Sequence, residues 1–363
     1  ASDVYKRQGE MLRLARQRKG FTQKEAAAKL GLAQPVLSRF ENGVAFAEEE
    51  FLKKASEVYD LPRAFFDVRA PVYGPAVSVH PMARAKADVT ARDLDMVTAE
   101  LNIRVMHMRR FLEAVDFEPK IHLPQFDIEQ FDSAEQIAAK VRAYWAIPEG
   151  PIKNLTALVE SAGVVVGTSY FGGASVSGMT FRVPGQPPLI LLNEQHPADR
   201  MRFTLAHELG HLIMHRFPTA TMEDEANDFA SSFLMPARDI GMAFDSRRIT
   251  LELLASLKPE WKVAMQALLM RAKSLGYVDH NQNRYLWQQI STRGWRLREP
   301  PELDFEKETP KVLKDIVKTH INALGYSISD LCALVPIHER EFISMYGPVD
   351  DKGPTRPRFR VVS

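Results

Sequence analysis

In FTLAHELGHLIMH, Phe203 to His215, two histidines stand four residues apart and a glutamate follows the first. Residues four apart on a helix share one face. His207 and His211 could therefore hold a single ion between their imidazoles. Zinc accepts histidine nitrogens in a tetrahedral shell and, when catalytic, keeps one position for water. Glu208 is turned about a hundred degrees from His207, so it reaches such a water rather than the metal and suits a general base. Leu205, Leu209 and Leu212 give the stretch an apolar side, and no proline interrupts it. Gly210 leaves room for another element to approach. His215 lies about eighty degrees round from His207 and is expected behind the site or at the surface.

A third protein ligand is needed, and "TMEDEANDFASSFLMP" reads as a second helix carrying Glu223, Asp224, Glu225 and Asp228. Phe229, Ala230, Phe233 and Leu234 define its buried side. Glu225, one turn before Phe229, is expected to point inward and complete the site, with Glu223 and Asp224 solvated as charge runs usually are. Together the two stretches resemble the ImmA/IrrE family of metallo-endopeptidases over about residues 135 to 240. That resemblance implies a zinc site of two helix histidines and a downstream glutamate, mapped here to His207, His211 and Glu225, with Glu208 as catalytic base. It also implies a protein substrate, such as a repressor, that is cleaved or inactivated by binding.

The elements that must position these residues can be read upstream. Ser133 caps a helix running to about Trp145, and "IKNLTALVESAG" reads as another. Three short runs, "VVVGTS", "GMTFRV" and "LILLN", are rich in β-branched and apolar residues and are split by Gly and Pro. They predict a small sheet ending at Asn193, after which Pro197–Ala198–Asp199 opens the histidine helix. An extended substrate is expected beside the sheet edge near Leu189–Asn193, by strand addition.

The first segment has a different chemistry. From Lys6 to Arg39 there are nine basic residues against two acidic ones, in a chain otherwise balanced at Lys+Arg 47 and Asp+Glu 46. A basic helix stops at Gly20, and Thr22 with Glu25 forms a capping box for the next. A turn through Gly31 leads to a third helix opened by Gln34–Pro35, with Val36, Leu37 and Phe40 inward. A further amphipathic helix runs from Phe51 to Leu61, before Pro62. This is the sequence form of a helix-turn-helix. Gln34, Ser38 and Arg39 are expected to face the major groove, with Arg16, Gln23 and Lys24 toward the phosphates. "FTQKEAAAKLGLAQPVLSRFENG" resembles the XRE (lambda-repressor-like) family over about residues 9 to 66. That resemblance implies operator DNA as a partner.

Between the two lies a Pro- and Gly-bearing stretch from about Ala70 to Met82. It is followed by Leu94, Val97, Leu101, Val105, Met108, Leu112 and Val115 at steps of three and four. This seam is expected either to pack on the body of the protein or to pair with a second subunit, and a homodimer on DNA is expected. The last third reads as helices broken at Lys258–Pro259 and Gly276, packed around the peptidase. A further helical pair follows, then a mobile basic tail. His280, His320 and His338 are expected at the surface.

The fold class expected is mainly α with a small β-sheet (α+β). The expected divisions are a helix-turn-helix at 1–68, a linker and long helix at 69–125, a zincin-like metallopeptidase at 126–245, and a helical region at 246–363. A single cysteine, Cys332, and no apolar run of spanning length predict a cytoplasmic protein with no membrane partner. The functional expectation is a DNA-binding regulator with a zinc metallo-endopeptidase, its cofactor Zn2+. The alternative is a non-cleaving regulator whose peptidase-like half senses a ligand or grips a partner.

Overall fold

Thr22 accepts a hydrogen bond from the Glu25 amide while the Glu25 carboxylate accepts from the Thr22 amide, so the capping box is formed. It opens α2 (Gln23–Leu30), which Gly31 ends in the left-handed conformation, φ 69°. With α1 (Ser2–Arg18), α3 (Gln34–Glu41) and α4 (Glu49–Tyr59) it builds a core of Leu12, Leu14, Ala26, Leu30, Leu37, Leu52 and Phe66. A computed structural model gives this architecture, and it describes residues 2–74, 90–131, 133–171, 176–245, 247–347 and 359–361.

The seam helix is α5 (Ala91–Phe111). It is buried on two faces. Val97, Leu101, Val105, Met108 and Phe111 pack with the sheet and the last helices, whereas Ala99, Ile103 and Met106 pack into the N-terminal core. The seam therefore lies within its own chain. Val115 is not part of the helix; it begins strand β1 (Val115–Phe117), which pairs antiparallel with Phe359–Val361 near the end of the chain. That strand replaces part of the expected mobile tail, and residues 348–358 and 362–363 lie outside the described residues. Of the expected linker, Pro75, Pro81 and Met82 also lie outside them. Its beginning is tied to α5, where Asn102 accepts from the Tyr73 amide at 2.7 Å and donates to its carbonyl at 3.1 Å.

Polar groups also meet on α5. Glu100 accepts from Arg104 at 2.8 Å and from Arg18 of α1 at 3.0 Å, and Arg18 also pairs with Glu341. His107 bonds the Tyr346 hydroxyl at 2.8 Å. Burial, reinforced by the Arg104 charge, pushes the His107 imidazole down to about 3, so it is neutral.

Downstream come α6 (Ala134–Tyr144), α7 (Leu155–Ser161), and strands β2 (Val165–Ser169), β3 (Gly178–Phe181) and β4 (Leu189–Asn193). The strand order is β2-β4-β3, with β2 parallel and β3 antiparallel to β4. All three expected strands are present. The strand expected to offer an edge, Leu189–Asn193, is central and paired on both sides. The helices α8 (Ala198–Met214) and α9 (Met222–Leu234) follow, then α10 (Ala237–Phe244), α11 (Leu251–Trp261), α12 (Met265–Ser274) and α13 (His280–Thr292). Leu205, Leu209, Phe229, Phe233, Leu254, Leu268 and Ile290 share one core, so these later helices pack around the histidine helix. α11 runs through Pro259 rather than breaking there, and ends at Lys262 in the left-handed conformation, φ 53°. Proline at that point removes one bond of the final turn only. The last helices are α14 (Val312–Asn322), α15 (Ile328–Leu334) and α16 (Glu339–Tyr346). His320 is buried on α14 between the Phe111 and Tyr326 rings, not at the surface. Among the described residues no helix is long and apolar enough to cross a membrane.

Candidate metal centre and nucleic-acid interface

Helix α8 carries the two histidines and is fixed from every side. Its start is held by Asp199, which accepts from buried Lys258, and by Arg202, which pairs with Glu308 and donates to the Ile152 carbonyl. Arg182 donates to the Leu212 carbonyl at 2.8 Å near its end. Two glycines permit close packing. A Cβ on Gly210 would sit 3.0 Å from the Phe229 ring of α9, and one on Gly178 of β3 would sit 2.6 Å from Thr204.

His207 and His211 face one another with their Nε2 atoms 3.0 Å apart. Glu223 brings carboxylate oxygens to 3.6 Å from His207 Nε2 and 3.3 Å from His211 Nε2. These three are the described residues that could hold a metal ion, their ligand atoms lying within 4.8 Å of one another. Glu225, the expected third ligand, is directed elsewhere: its Oε2 accepts from His215 Nε2 at 2.9 Å and its Oε1 from the Thr221 hydroxyl at 2.8 Å. The reason is the crossing of the two helices. The row Glu223–Asn227 of α9 faces His207, whereas Glu225 lies opposite His215, one turn further along α8.

For neutral rings, the outer hydrogen bonds assign which ring nitrogens carry protons. His207 Nδ1–H donates to Asn227 Oδ1 at 2.9 Å, leaving its Nε2 as a bare lone pair. Glu225 accepts only, so His215 donates through Nε2–H and accepts at Nδ1. His211 Nδ1, 3.0 Å from His215 Nδ1, must then be the donor. Its Nε2 is likewise a lone pair. Two lone pairs and a carboxylate therefore converge with no donor among them, and Glu223 Oε1 is a buried oxygen without a hydrogen-bond partner. Such a cluster suits a cation. Tetrahedral Zn–N bonds of 2.0–2.1 Å imply ligand separations of about 3.3 Å, the range the three groups span. The same convergence attracts protons. Burial alone would lower the His207 pKa, but a proton arriving on Nε2 meets the Glu223 carboxylate and the nearby Glu208 charge, which leave it raised. Burial alone would raise that of Glu223, but the two imidazoles facing it, either of which can take up a proton, hold it near 2.

Glu208 is buried beside them, with Oε2 accepting from the Thr180 hydroxyl of β3 at 2.7 Å. The sequence alone assigns no role to Thr180 or Asn227. Asn227 had a usable signal, being four residues after Glu223 and so on its helix face. Thr180 had none, because its contact depends on how the sheet packs on α8.

In the N-terminal helices, Gln34 and Arg39 are exposed on α3, Lys24 is exposed on α2, and Ser38 is half-buried, accepting from Asn42 at 3.2 Å. Arg16, expected at the phosphates, is buried. Its guanidinium grips Glu41 at 2.6 and 3.0 Å and donates to the Phe21 carbonyl at 2.7 Å. Its donors are consumed inside the fold. Gln23 donates to Glu41 at 2.9 Å and accepts from Gln34 at 2.7 Å, so a polar chain runs from the buried ion pair to the α3 surface. Val36, expected inward, is 41% exposed on that same surface.

Residues 159–273 match the peptidase-family model described as the IrrE N-terminal-like domain, and residues 12–66 match the helix-turn-helix model. The chain thus joins an XRE-type helix-turn-helix segment, of the DNA-binding regulatory kind, to a metallopeptidase-like domain. No curated protein matches it.

Proposed function

We propose that the chain is a DNA-binding regulator whose second half is a zinc endopeptidase acting on a regulatory protein, for which a repressor is the leading candidate. The observation that carries this reading is the donor-free convergence of His207, His211 and Glu223 beside the buried carboxylate of Glu208. We assign those three as the zinc ligands, with Glu223 in place of Glu225. Zinc held there would supply a Lewis acid for the scissile carbonyl and would make a water molecule acidic.

The chain's own groups do the remaining work. Thr180 donates to Glu208 Oε2, which leaves Oε1 to take a proton from the attacking water and deliver it to the departing amine nitrogen. Asn227 keeps the proton of His207 on Nδ1, so that Nε2 stays a ligand. An extended substrate segment would run along β3, the edge strand that carries Thr180, rather than along the central β4. At the other end, Gln34, Ser38 and Arg39 would read the major groove, with Gln23 and Lys24 beside the phosphates. Two copies on a palindrome would meet away from the α5 seam, which is already buried within one chain. The protein would act in the cytoplasm, where DNA and a reduced Cys332 coexist.

The test is Glu208→Gln in the full chain, incubated with candidate repressors of neighbouring operons. The variant should keep its zinc and lose cleavage, because only the proton carrier is removed. Equal cleavage by wild type and variant would refute the assignment of Glu208.

A further inference from the structure

The metal centre described above leaves three polar side chains unassigned: His215, Glu225 and Thr221. We propose that they form a positioning relay that sets the tautomer and orientation of His211; this rests on the assignment of His207, His211 and Glu223 as ligands. Thr221 Oγ1 donates to Glu225 Oε1 at 2.8 Å, His215 Nε2–H donates to Glu225 Oε2 at 2.9 Å, and His211 Nδ1–H donates to His215 Nδ1 at 3.0 Å. Every donor points the same way, toward the carboxylate, and in the neutral ring this leaves the His211 lone pair on Nε2, facing His207 and Glu223.

The arrangement is asymmetric. His207 is oriented by one neutral acceptor, Asn227 Oδ1, whereas His211 is backed by an imidazole that is itself anchored to a charge. The His215 side chain is 1% exposed, so water does not replace it as an acceptor. Removing it would leave the His211 Nδ1–H buried without a partner. The ring could then move its proton to Nε2, which abolishes the ligand, or rotate away. Outer partners of this type tune metal affinity by about 10–100-fold. Glu225, whose place in the sequence made it look like a ligand, would thus serve the same ion from two bonds away.

The experiment measures zinc affinity of the full chain by competition with a chromogenic chelator, alongside thermal melting to confirm folding. His215→Leu should weaken zinc by about 10–100-fold. His215→Gln should recover most of that loss, since its amide oxygen can accept from His211 Nδ1–H. Glu225→Ala should weaken zinc by about tenfold. Glu225→Gln should bind close to wild type, because its carbonyl can accept from His215. Glu223→Ala should lose zinc outright. If His215→Leu and Glu225→Ala match wild type while Glu223→Ala loses zinc, the relay is overturned and the ligand assignment stands. If both Glu225 variants lose zinc as completely as His211→Ala while Glu223→Ala retains it, Glu225 is itself the ligand and both readings fail. If His215→Leu fails to fold, the comparison of Glu225→Ala with Glu225→Gln decides alone.

Discussion

Chemistry in this chain is decided by a few side chains whose partners are set by one-turn differences. His207, Glu208 and His211 could be read directly, because i, i+4 geometry on a helix follows from spacing. The third acidic residue could not. Three acids within Glu223–Glu225 differ only by rotation about α9, and which one meets the imidazoles depends on how α9 crosses α8. The same limit applied to Arg16. Its basic character suggested phosphate contact, but its position on α1 puts it against Glu41, a pairing 25 residues away that no local pattern specifies. These two environments separate the N-terminal arginines experimentally. Arg16→Ala leaves the buried Glu41 without its charged partner, with only Gln23 still donating to it, and should destabilise the N-terminal helices by about 3–5 kcal/mol, measured by urea unfolding. Arg39→Ala should leave unfolding unchanged and cost about 1–3 kcal/mol of specific DNA affinity. Normal stability in Arg16→Ala together with weakened DNA binding would reverse the assignment.

Among the elements, those with strong local punctuation were legible. The capping box at Thr22, the Ser133 cap and the three short strands all appear where turn residues and periodicity put them. Strand order was not legible, since it is set by pairing between distant runs, and nothing within Leu189–Asn193 itself shows that β4 is central rather than an edge. The α5 seam shows the same gap. Its steps of three and four specified an apolar face without saying what would cover it. A helix buried on two faces, against the sheet on one and the N-terminal core on the other, fixes the outcome of placing a charge there. Leu101→Glu would bury an unpaired carboxylate and should lower the melting temperature of the whole protein, with no change of oligomeric state before unfolding. A folded mutant that sediments at half the wild-type mass would instead make the seam an intersubunit contact.

At the scale of the molecule, α5 joins the helix-turn-helix segment to the peptidase-like body. Arg18 of α1 bridges Glu100 and Glu341, and α5 contributes to both adjoining cores. The two matched families are therefore physically joined rather than strung on a free tether at this point. The whole account turns on what the donor-free cluster holds. The most direct test is anomalous X-ray scattering at the zinc edge, from crystals of the full chain grown with one equivalent of zinc. The account predicts one peak per chain, about 2.0–2.2 Å from His207 Nε2, His211 Nε2 and a Glu223 oxygen, with Glu225 still bonded to His215. No peak at this cluster, or a peak ligated by Glu225 with Glu223 turned away, would contradict it.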